Sequence, residues 1–209
     1  MSAVAQASVP VDQTDLRSLV RAAVKIGFLT AGTVFLFSLV SRFTDGTVMT
    51  ALETVILLAG LSGVVLLPGF WTNPRTIEGI AGGAAIGLGG AVVFLLLDVS
   101  ILQNIGTYTD RWRAIGGGSN WWWQPVWWML GTYLCWLGAF AQSNQAVRRG
   151  AARPMSVMVM SVVYALVLGV IANAIHFPAA EWSMPTFAVA FIPGLALTVL
   201  TTAVAPKRT

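Results

Sequence analysis

Six long apolar runs follow one another along the chain, separated by short segments that hold the charges and the turn residues. Helical spans are expected at about 22–42, 48–70, 77–102, 121–142, 155–175 and 186–205. The third run is the most informative. From Gly79 to Leu97 no charge interrupts nineteen residues, which rise ~28 Å as a helix, close to the thickness of a bilayer's hydrocarbon core. In water its glycines would weaken a helix by ~1 kcal/mol each. In lipid the backbone has no other hydrogen-bond partner, so the helix is kept and the glycines become flat contact surface. Gly79, Gly83 and Gly87 recur every four residues, a stripe suited to close helix packing. Ala23, Gly27 and Ala31 repeat that spacing in the first run, for packing inside the bundle or against a partner's helix.

The segments between the runs read as stops and turns. Residues 1–15 form a polar tail expected to be mobile, within a juxtamembrane region 1–21. Thr14 or Asp12 is placed to cap the first helix. A signal peptide is the competing reading, but the run ending at Arg42 is long and lacks an Ala-x-Ala-like cleavage site. Thr44-Asp45-Gly46 makes a short turn. Pro68 to Pro74, with Trp71 among them, reads as a helix stop with an interfacial tryptophan. Longer connections are expected at about 103–120 and from Ser143 to Pro154. The membrane domain is thus 22–205, with a basic tail at 206–209.

Composition fixes the solvent. Hydrophobic residues make up 56% and charged residues 10% of the chain, against about 25% charged in ordinary soluble domains. The fold class expected is all-α: a polytopic six-transmembrane-helix bundle. Six spans put both termini on one side. Placing them in the cytoplasm gives nine inner basic residues (Arg17, Arg21, Lys25, Arg75, Arg148, Arg149, Arg153, Lys207, Arg208) against three outer ones (Arg42, Arg111, Arg113). That asymmetry follows the positive-inside rule and suits a cell membrane of the bacterial inner-membrane kind. The basic residues are not gathered on an aromatic-bearing soluble face, so nucleic acid is not an expected partner. The single cysteine, Cys135, lies in an apolar run and cannot form a disulfide within the chain.

Ionisable groups inside spans are costly and often functional. Glu53, Asp98, Asn173 and His176 fall at a similar outer depth and form a candidate site for a cation, a proton or a polar solute. The plainer reading pairs Glu53 with Arg42, and Asp98 with Arg111 or Arg113, and leaves His176 at the interface. Their scatter over three spans gives no local metal motif, and one histidine cannot supply a bis-histidine haem. Five tryptophans lie within Trp121 to Trp128 at the start of the fourth run. An aromatic belt explains them in part. Trp121, Trp128 and Cys135 share a seven-residue spacing that, with Gln124, could turn toward the bundle and build an aromatic cup over the acidic residues. They could equally dock against another subunit.

Phosphate-binding loops, Gly-x-Ser-x-Gly and His-Glu-x-x-His are absent from the sequence. A membrane enzyme would need Asp98 and His176 within reach of each other. The leading expectation is a non-enzymatic subunit of a larger membrane complex, or of a homo-oligomer, packing through small-residue faces and a tryptophan-rich outer interface. The alternative is solute or ion binding and transport through the outer cup. In size, span number, the small stripe of the first span and that cup, the chain resembles in architecture the substrate-binding subunits of energy-coupling-factor vitamin transporters. That resemblance implies a solute-binding bundle working beside an ATPase pair, and it assigns no residue a role.

Overall fold

The computed structural model describes residues 12–108 and 123–206, with only the backbone described at 123–127. These residues form six helices and no strand: α1 Leu16–Phe43, α2 Gly46–Thr72, α3 Ile77–Leu97, α4 Trp123–Arg149, α5 Pro154–Ala174 and α6 Met184–Val204. α3 runs on through one π-helical turn, Asp98–Leu102. Five helices are long and apolar enough to cross a membrane: α1, α2, α3 with its π turn, α5 and α6. α4 has 27 residues, enough for ~40 Å of rise, and lies along α2, α3 and α6. The protein is a helical membrane bundle.

α3 sits between α1 and α4 and also touches α2, whereas α5 is held chiefly by α6. Glycine explains the central position of α3. A methyl on Gly87 would lie 2.5 Å from the Gly131 carbonyl oxygen and 2.7 Å from the Cys135 Cβ, and one on Gly83 would lie 2.6 Å from the Ala139 Cβ. α4 therefore rests on the α3 backbone itself. The α1 stripe is used on the opposite side, with Gly27 against Val93 and Ala23 against Gly89. Both small-residue stripes close inside the chain.

Three expectations about segment ends need correction or sharpening. The α2 stop expected within Pro68 to Pro74 falls near its far end, not at Pro68. Pro68 is buried inside the helix, and the stop is Asn73 in the left-handed region at φ 45°, its N–H donating to Gly69 O at 3.0 Å. Proline removes the donor for the carbonyl four residues back, which is Val64 O. The Cys135 thiol lies 3.2 Å from that oxygen and donates to it, so the lone cysteine completes α2. Second, α4 does not end at 142 but continues to Arg149, because Gln142, Asn144 and Arg148 find backbone partners on α2, on α6 and at Ala205 just past the end of α6. Third, the end of the tail is tied down. Asp15 caps α1 by accepting from Ser18 N at 3.0 Å. Asp12 instead caps α3, accepting from the amides of Arg75, Thr76 and Gly79 at 2.9–3.0 Å and from the Thr76 hydroxyl.

Candidate functional site

At the end of the bundle opposite the termini, chain geometry brings a carboxylate and a returning loop together. The π turn is closed by Gln103 N donating to Asp98 O at 2.9 Å, and π turns are frequent at functional positions. Asp98 is 5% exposed. It accepts from Gln103 Nε2 at 2.7 Å and from the Tyr108 hydroxyl. Burial, with the Asp98 carboxylate beside it, pushes the Tyr108 phenol above the ordinary tyrosine range, so it remains a donor. Ser38 on α1 donates to Thr107 O, and Arg42 donates to Gly106 O. A buried carboxylate thus anchors the loop at 103–108, and α1 clamps it from the side.

Of the other expected site residues, Asn173 and His176 lie elsewhere in the bundle. Glu53 is 7% exposed on α2, which packs on α1, α3 and α4. Asn173 is buried on α5, where its Nδ2 donates to Gly169 O at 2.9 Å within its own helix. His176 is exposed in a left-handed turn at φ 52° just after α5. Since α5 touches α2 and α4 only lightly, Asn173 and His176 stand apart from the Asp98 loop. Among the described residues no group of three histidine, cysteine, aspartate or glutamate side chains could hold a metal. Trp121 and the possible partners Arg111 and Arg113 lie outside the described residues, and Gln124 is described by its backbone alone.

Trp128 does not turn into the bundle with Cys135. It is 42% exposed and lines a shallow groove between α3 and α4. The groove measures about 610 Å³ and is lined by Ala84 and Leu88 from α3 and by Trp128, Met129, Thr132, Tyr133 and Trp136 from α4. Its lining is almost wholly apolar, and the Thr132 hydroxyl is turned back onto Trp128 O at 2.7 Å. Along α4 the rings form a row: Tyr133 to Trp136 at 5.8 Å between centroids, then Trp136 to Phe140 at 5.7 Å.

The end of the bundle that carries the termini holds a polar clasp that the sequence did not reveal. Arg75 reaches Gly150 O at 3.4 Å, Arg148 reaches Ala205 O at 2.8 Å, and Gln145 Oε1 accepts from Arg153 N at 2.9 Å. With Asp12 on the start of α3, this ties together all four segments at that end. The run Gln142 to Gln145 was its only signal, and beside Arg148 and Arg149 it reads equally well as a solvated connection.

No family model matches the chain, and no curated protein or solved structure is similar to it. The resemblance to vitamin-transporter subunits rests on span number and residue pattern alone.

Proposed function

We propose that the chain is a non-enzymatic integral membrane subunit that docks into a larger membrane assembly through the aromatic groove between α3 and α4. One observation carries this reading. The small-residue stripes are consumed inside the bundle, while Trp128, Met129, Tyr133 and Trp136 are left facing sideways. Trp136 lies eight residues beyond Trp128, ~12 Å deeper along the helix, so anchoring at headgroup depth does not account for it. Tryptophan, tyrosine and methionine are enriched where proteins meet. The groove offers almost no hydrogen-bonding group, which favours an apolar helix over a polar solute. The nine-to-three basic asymmetry supports cytoplasmic termini and a bacterial-type inner membrane. The test is gentle extraction from native membranes through an affinity tag, followed by native mass measurement. Co-purifying membrane subunits in fixed ratio are expected; a lone monomer refutes the proposal.

A second reading has its own support in the two buried carboxylates, Glu53 and Asp98. Asp98 meets only neutral donors among the described residues, and buried carboxylates inside spans often mark ion or solute paths. In that case the Glu53→Gln, Asp98→Asn double variant folds but loses uptake. Unchanged uptake removes this reading and leaves transport without a site.

A further inference from the structure

The α2/α4 seam buries Gln142 at 1% exposure, and one turn further along α4 Gln145 is at 2%. The orientation of each amide is set by a backbone partner. Gln142 must direct its NH₂ at Leu66 O, 3.1 Å away, and Gln145 must direct its oxygen at Arg153 N, 2.9 Å away. Neither amide can be flipped without losing that bond. This leaves Gln142 Oε1 as an acceptor and Gln145 Nε2 as a donor, both without a hydrogen-bond partner among the described residues. The two side chains are three residues apart on α4 and so lie on one face, with Cβ atoms ~5–6 Å apart. Folded proteins leave few such atoms unpaired.

We infer that this seam is a binding site for ordered water, with a water molecule bridging Gln142 Oε1 and Gln145 Nε2. The class of ligand follows from the site. It must donate and accept at once, and it must fit where the side chains are almost fully enclosed. Water does both, and a buried water typically makes about three hydrogen bonds. The bridge would couple the two amides and, through their backbone partners Leu66 and Arg153, link α2 to the connection that follows α4.

The test is an experimental structure of the full chain in lipid nanodiscs, at a resolution that shows ordered solvent. A density peak within hydrogen-bond distance of both Gln142 Oε1 and Gln145 Nε2 is expected. Amides bonded directly to each other, or a side chain filling the space, overturn the inference. A cycle of Gln142→Met, Gln145→Met and the double variant gives a second readout by reversible unfolding. Bridged amides make the double variant's unfolding constant depart from the product of the single effects by about threefold or more. Independent effects that simply multiply count against the bridge.

Discussion

Gly138 is the position where one methyl group should do the most damage. It lies on α4 opposite Val65 of α2. A Cβ there would come within 2.9 Å of the Val65 carbonyl carbon and closer still to its oxygen. Both obstacles are backbone, so no rotamer change relieves the clash and the two helices must separate. Overpacking of this kind costs ~1–3 kcal/mol. The same separation strains the Gln142 bond to Leu66 O, worth ~1 kcal/mol, and the weaker thiol bond from Cys135 to Val64 O. Gly138→Ala is therefore expected to destabilise the bundle by about 3 kcal/mol, or roughly a hundredfold in the unfolding constant. The control is Gly32→Ala on the exposed side of α1, where a Cβ meets nothing within 4 Å. Alanine's better helix propensity makes that change neutral or stabilising by up to ~1 kcal/mol. Reversible unfolding in mixed micelles, followed by circular dichroism and tryptophan fluorescence, compares the two. Equal stability of the two variants would refute the close α2/α4 packing on which the fold rests.

Other consequences are equally open to measurement. Cys135 is fully buried, so a maleimide should label it only as fast as the bundle unfolds; rapid labelling of folded protein contradicts its place against Val64. Asp12 is partly buried, which alone would raise its pKa, but the Thr76 hydroxyl and the amides of Arg75, Thr76 and Gly79 outweigh this and hold it below its ordinary value of 3.8. A depressed carboxylate stabilises the fold above the unfolded-state pKa and loses that contribution as pH falls through the folded one. Stability from Asp12 should thus be constant at neutral pH and decline below about pH 4. Asp12→Asn should cost ~1 kcal/mol at pH 7 and remove that part of the acid dependence. Tyr108→Phe leaves one oxygen of Asp98 without its described donor, and a loss of ~1.5–3 kcal/mol is expected. Adding Asp98→Leu to Tyr108→Phe should recover part of it, since no buried charge then remains.

Much of the architecture was legible because hydropathy and small-residue spacing report directly on helix length and close approach. Gly83 and Gly87 marked the face of α3 that meets α4, and Gly27 marked the face of α1 that meets α3. Polar residues were harder to read, since their meaning depends on partners far away in sequence. Asp12 looked like a local cap, yet its donors lie more than sixty residues away. Ser143 to Gln145 resembled a connection because a polar run beside arginines carries no sign that a carbonyl of α6 awaits it. Pro68 looked like part of a stop, because nothing near it in sequence shows that a thiol on α4 would serve the carbonyl it frees. Asp98 stood out as a charge within an apolar run, but its partners Gln103 and Tyr108 come from a loop whose return follows from the π turn.

The most direct test of docking through the α3/α4 groove is site-specific photocrosslinking in native membranes. A photoreactive residue is placed at Tyr133 in the groove and, separately, at Val163 on the exposed face of α5. A discrete adduct with another membrane protein from position 133, and lipid adducts alone from position 163, is the expected result. Lipid adducts alone from both positions would contradict the account.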